Sequence, residues 1–150
     1  MMQRLLIIIL SCFALVSYSS DPKSPEQHVR NSLSAMETAA QERSTSDFME
    51  YISDDYYDGH GNNKESVKHL LRVLFLRNQK INIFYAIRSL EIKNGRTKAE
   101  ISAAMTSREV DLSEEKNRLK ADTLRFSITL RSNNNNDKWL IQHASWKRGW

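Results

Sequence analysis

KINIFYAIRSLEIKNGRTKAEISAAMTSR, residues 80–108, is the stretch that decides how the rest of the chain must be arranged. From Lys80 to Ile92 the alternation puts Ile81, Ile83, Tyr85 and Ile87 on one face. From Arg96 to Ser107 it puts Ala99, Ile101, Ala103 and Met105 on one face. Period two is the mark of a strand. Between the two runs, Asn94-Gly95 suits a type I′ turn, whose central residues both need positive φ. The spacing predicts one long hairpin, and a two-stranded ribbon does not stand alone in water. The flanking segments must therefore cover or extend it.

Downstream, Arg118 to Arg131 repeats the alternation, with Leu124, Phe126, Ile128 and Leu130 on one face and Thr123, Arg125, Ser127 and Thr129 on the other. Lys138 to Arg148 is expected to close the sheet, with Trp139, Ile141 and His143 sharing a face opposite Leu140, Ala144 and Trp146. Glu109 to Asn117 and Asn133 to Asp137 read as loops. Upstream, Ser24-Pro25-Glu26-Gln27 has the cap serine and first-turn proline of a helix start, and Val29, Leu33, Met36 and Ala40 form its apolar stripe to about Glu42. Ser46 is expected to cap a short helix from Asp47 to Ile52, and Ser53 to Asp58 reads as a short extended piece entering Gly59-His60-Gly61. Asn62 with Glu65 predicts another helix start. Val67, Leu70, Leu71, Leu74 and Phe75 then form the strongest helical stripe in the chain, ending near Asn78.

Met1 to Ser20 carries a positive Arg4, an apolar run from Leu5 to Val16, and Ser17 and Ser19 spaced for signal peptidase. The run is shorter than the roughly 20 residues that a bilayer span needs. It reads as a secretory leader. Ile9-Leu10-Ser11-Cys12 also resembles a lipobox, which would anchor the chain through a lipid on Cys12. Either processing places the protein in the cell envelope, periplasmic or exported. Cys12 is the single cysteine, so no internal disulfide can form. Residues 24–148 make one domain. The net charge of +4 comes from 22 basic and 18 acidic residues interspersed along the chain, a solvated surface without the one-sided cluster that nucleic acid requires.

Helices first and a meander of strands afterwards is an α+β order. Together with Phe48-Met49-Glu50-Tyr51-Ile52-Ser53-Asp54-Asp55-Tyr56 and the last strand Lys138-Trp139-Leu140-Ile141, it resembles the nuclear transport factor 2-like (NTF2-like, SnoaL-like) superfamily, over about Ser24 to Trp146. The resemblance implies a cone: a curved antiparallel sheet wrapped around a long N-terminal helix, with two further short helices. The superfamily holds isomerases, dehydratases and hydrolases as well as proteins without chemistry. The first helix here has no tyrosine, which disfavours the ketosteroid-isomerase-like members. The polyketide-cyclase-like members use a late-strand acid with a histidine or arginine near it, and Asp122 and His143 are the residues that could be placed that way.

The candidate catalytic residues are thus Asp122, a general base if it faces an apolar interior, and His143. Their plainer readings are a strand-end acid in an ion pair and a hydrogen-bonded core histidine. A ligand pocket is expected to be lined by Val29, Leu33, Met36, Leu71, Tyr85, Ile101, Met105 and Phe126, with Leu70, Leu74 and Ile128 contributing. Asp54, Asp55, Asp58 and His60 lack the ligand spacing of a calcium or zinc site and read as turn and cap residues. No cofactor is implied. Lys147 and Arg148 beside Trp146 and Trp150 add only about 2 kcal/mol at an anionic membrane. The expected function is an exported binding or accessory module for a small apolar molecule. The alternatives are a cofactor-free lyase or isomerase using Asp122, and a structural module that dimerises through the outer sheet face. Intact-mass measurement of the envelope fraction should find a chain that begins near Asp21, or at a diacylated Cys12; an intact Met1 contradicts both.

Overall fold

The computed structural model describes residues 24–107, 122–133 and 137–148; the leader expected at residues 1–20 lies outside them. Three helices, α1 (Pro25–Gln41), α2 (Thr45–Met49) and α3 (Lys64–Arg77), accompany five strands, β1 (Ile52–Asp58), β2 (Asn82–Lys93), β3 (Arg96–Thr106), β4 (Asp122–Ser132) and β5 (Trp139–Arg148). They form one sheet in the order β1-β5-β4-β3-β2. The architecture is α+β, as the element order implied. Among the described residues no helix is long and apolar enough to cross a membrane.

The hairpin forms as the alternation demands. Lys93 pairs with Arg96 across Asn94 and Gly95, whose φ values of 52° and 70° are those of a type I′ turn. Ile87 pairs with Ile101 and Leu90 with Ala99, although an odd and an even position would ordinarily point to opposite faces. Arg88 is the extra residue of a β-bulge between them, and it returns Leu90 to the core side. β4 runs antiparallel to β3, with Ile101 opposite Phe126 and Ala99 opposite Ile128.

The expected order of closure needs correction. β5 does not close the sheet, because β1 pairs with it in parallel and takes the edge. Two caps also move. Ser44, not Ser46, accepts from the Asp47 N–H at the start of α2, and Asn63, not Asn62, accepts from the Ser66 N–H at the start of α3. In both places neighbouring residues offer equivalent side chains, and the turn geometry chooses between them.

The core lies between α1 and the sheet. Val29, Leu33 and Met36 of α1 pack with Ala99, Ile101, Ile128, Leu130, Trp139, Ile141 and Ala144, and with Met49, Ile52 and Tyr56 from the α2–β1 region. The Trp139 N–H donates to Ser32 Oγ at 3.0 Å, a buried bond that ties β5 to α1. A second cluster of Ala40, Phe75 and Ile81 holds the other end of α1 against α3, with Leu71, Leu74, Ile83 and Met105 against it. The strongest stripe in the sequence is the least covered in the fold: Phe75 is the one buried residue of α3, and Leu70, expected inside, is 53% exposed.

Gly95→Val should cost about 1–2 kcal/mol, the penalty of a side chain in left-handed backbone, with its Cβ 3.3 Å from Ser132 Oγ adding to it. Urea unfolding measures this, and an unchanged midpoint would contradict the turn.

Candidate functional site

The two candidate catalytic residues, Asp122 and His143, are not brought together. His143 would have shared the inward face with Trp139 and Ile141, but a second bulge intervenes. Ile141 pairs with Leu130 and His143 with Thr129, leaving Gln142 as the extra residue. His143 therefore stands on the outer face of the sheet, while Ala144 opposite Ile128 and Trp146 opposite Phe126 take the inner one. There its ring stacks on Tyr57, centroids 4.4 Å apart. Its Nδ1 lies 3.0 Å from the Tyr57 carbonyl oxygen, which can only accept, so Nδ1 carries the proton. Asp122 is the first residue of β4, opposite Met105; its side chain lies outside the described residues. Seven positions of strand separate it from Thr129, the partner of His143, a distance of about 23 Å.

The eight expected pocket residues divide into two groups. Val29, Leu33, Met36 and Ile101 are buried in the main core cluster, and Leu71, Tyr85 and Phe126 are half-buried against it. Met105 packs against the second cluster. Trp146, expected on the face opposite Trp139, joins the half-buried group: its ring lies 6.0 Å from Phe126 and 4.4 Å from His60, centroid to centroid. Its signal in the sequence was masked by the bulge, since counting by twos from Trp139 puts it on the wrong side. The half-buried set packs aromatic and aliphatic side chains against the main core cluster, with Phe126 and Trp146 in contact with each other. Two concavities lined by described residues, of about 490 and 440 Å3, lie elsewhere and include none of the eight.

The acidic segment Asp54 to Asp58 splits across the edge strand. Asp54 bonds Lys64 Nζ at 2.8 Å and Asp55 accepts from Gln142 and faces Arg131 at 3.5 Å, both on the solvent side. Asp58 points inward and is buried. Its Oδ1 accepts from the His60 N–H at 2.8 Å and the Asn62 N–H at 3.0 Å, and its Oδ2 from Asn62 Nδ2 at 3.0 Å and the Tyr56 hydroxyl at 3.3 Å. Burial pushes the Asp58 carboxyl up, but the Asn62 and His60 N–H groups, the Asn62 amide and the Tyr56 hydroxyl outweigh it and hold the group below the usual range. Burial first, then Asp58, pushes the Tyr56 hydroxyl up. An ionised acid whose lone pairs are all taken makes a poor base, so this pair organises the Gly59–Asn62 turn. Among the described residues no three His, Cys, Asp or Glu converge on a metal position.

With this geometry in view, the comparisons with known proteins are informative about fold. The sequence matches no protein-family model and no curated protein. Solved structures do match. Bd1075 of Bdellovibrio bacteriovorus superposes with a TM-score of 0.67 at 10% identity over 83% of this chain, which spans 40% of the length of that protein. A candidate dehydratase of the NTF2-like family from Streptomyces avermitilis gives 0.64 at 10% identity, over 84% of this chain and 99% of its own. A candidate scytalone dehydratase from Novosphingobium aromaticivorans gives 0.66 at 6% identity, over 83% and 84%. The chain has the NTF2-like fold.

Asp58→Asn places an amide where Asn62 already donates, and should lower stability at pH 7 by about 1–3 kcal/mol. The folded carboxyl ionises below its unfolded value near 3.9. The wild-type advantage is therefore complete above that pH and shrinks as pH falls through the folded pKa. Urea midpoints of both proteins from pH 7 to 2.5 check the convergence.

Proposed function

We propose that the chain is an exported module of the NTF2-like fold that binds a small apolar molecule without turning it over, at the rim formed by Leu71, Tyr85, Phe126 and Trp146. The observation that carries this reading is the separation of Asp122 and His143, by about 23 Å along β4 and with the histidine on the outer face. General acid and base must both reach the reacting atoms, within a hydrogen bond or one water of them. What the rim offers instead is contact area. Its aromatic and aliphatic side chains are partly covered, and the Tyr85 hydroxyl is pushed up first by burial and then by Glu37, so it stays a neutral donor. Apolar walls with one or two polar groups are the usual composition of a small-molecule site. Export rests on the leader features of residues 1–20.

The alternative, a cofactor-free lyase or isomerase using Asp122 as base, draws on the two fold neighbours named as candidate dehydratases. One experiment separates the readings. The neutral fluorophore N-phenyl-1-naphthylamine should brighten on binding the folded protein, and Phe126→Ala should weaken it about tenfold or more, the loss of about 1.5–3 kcal/mol of apolar burial. Asp122→Asn should leave it unchanged. Binding that survives Phe126→Ala in a folded variant, or no binding at all, removes the rim as the site.

A further inference from the structure

A crevice that shares no lining residue with this rim has a chemistry of its own. Glu42, Arg43, Thr45, Arg72, Phe75 and Leu76 line a concavity of about 440 Å3 where the end of α1 and the start of α2 meet α3, a volume within the range of small-molecule sites. Arg43 is the unusual member. Its φ of 57° is left-handed, and its N–H donates to the Ala40 carbonyl at 3.1 Å while the Ser44 N–H donates to Ala39 at 2.8 Å, closing the last turn of α1. That position ordinarily goes to glycine or asparagine, because a β-carbon there crowds the next carbonyl. The backbone gains nothing from an arginine, so its side chain calls for another account.

The crevice supplies one. Among the described residues neither Arg43 nor Arg72 has a carboxylate at ion-pair distance, so two guanidinium groups with their donors uncommitted line the same concavity. Beside them the surface turns apolar. Phe75 is buried and anchored with Ala40 and Ile81, and Leu76, next to it on α3, is 85% exposed. Glu42 on the same rim offsets one of the two positive charges and leaves a net charge of +1. That balance suits a ligand with one negative charge more than a polyanion.

We propose that this crevice binds an amphiphilic monoanion, a free carboxylate with an unbranched apolar chain, whose head is held by Arg43 and Arg72 and whose tail lies on Phe75 and Leu76. Charge-assisted bonds from a guanidinium fork match a carboxylate's geometry, and the exposed leucine gives the chain a surface to leave water on. The site is separate from the rim described above and takes a different class of ligand.

Octanoate, octanol and acetate, added separately to uniformly 15N-labelled protein, test it: the first has both charge and chain, the second only the chain, the third only the charge. Octanoate should shift the amides of residues 42–45 and 72–76 saturably, while octanol binds at least about tenfold more weakly and acetate produces no saturation. Arg43→Gly is the decisive variant, because it deletes the guanidinium and relieves the left-handed backbone together. Its melting temperature should not fall, and its octanoate affinity should drop about tenfold or more, the loss expected for a hydrogen bond to a charged group. Arg72→Ser should act in the same direction. Octanoate shifts confined to Leu71, Tyr85 and Phe126 would support the apolar rim and overturn the crevice. An equal response to octanol, or undiminished binding by a folded Arg43→Gly protein, would overturn it as well.

Discussion

The contact between the buried stripe of α1 and the inward faces of β3, β4 and β5 is the constraint on which the remaining structure depends. Val29 and Leu130 retain no exposure and Trp139 almost none, and each such side chain contributes about 1.5–3 kcal/mol by leaving water. The same dry end carries a cost. Thr97 Oγ1 and Trp139 Nε1 are buried with no hydrogen-bond partner among the described residues, and an unsatisfied buried group costs about 1–3 kcal/mol. Apolar packing must exceed that cost locally. Stability is thereby concentrated at one end of the sheet, and the opposite end is left with half-covered rings.

Much of this was legible in advance. The alternation of β2, β3 and β4 announces which residues face inward, and Asn94-Gly95 announces the turn, because strand period and positive φ both leave direct traces in residue type. The bulges left none. Arg88 and Gln142 carry no composition that marks an extra residue, and each inverts the parity of everything after it, so Leu90 was left out of the inward set, Trp146 was placed on the wrong side and His143 inside. The candidate site suffered most, since its histidine lay just beyond such a point. The covering of α3 was illegible for a different reason. A 3.6-residue period says that a helix has an apolar face, and it cannot say whether another element covers that face. Leu70 belongs to the stripe and still meets solvent.

The buried polar groups divide by whether their partners are close in sequence. Asp58 finds all of its donors within four residues, in Tyr56, His60 and Asn62, so the turn that buries it also satisfies it. Ser32 and Trp139 are 107 positions apart and meet only when α1 has docked on β5. The first kind of bond can form early and locally; the second reports completed assembly.

The bulge at Gln142 also governs how chains of this shape can be compared. Aligning β5 to a relative by counting from Trp139 gives the correct facing as far as Ile141 and the opposite facing from His143 onward, unless the relative bulges at the same place. If Gln142 paired opposite Thr129 instead of bulging, His143 would be offered to the interior and Ala144 and Trp146 would turn outward, exchanging the two walls of half a strand by a slip of one residue. For a sheet that divides a packed interior from a solvent face, a register slip of one residue is thus a larger functional step than most substitutions, and it is a step that identity percentages hardly register.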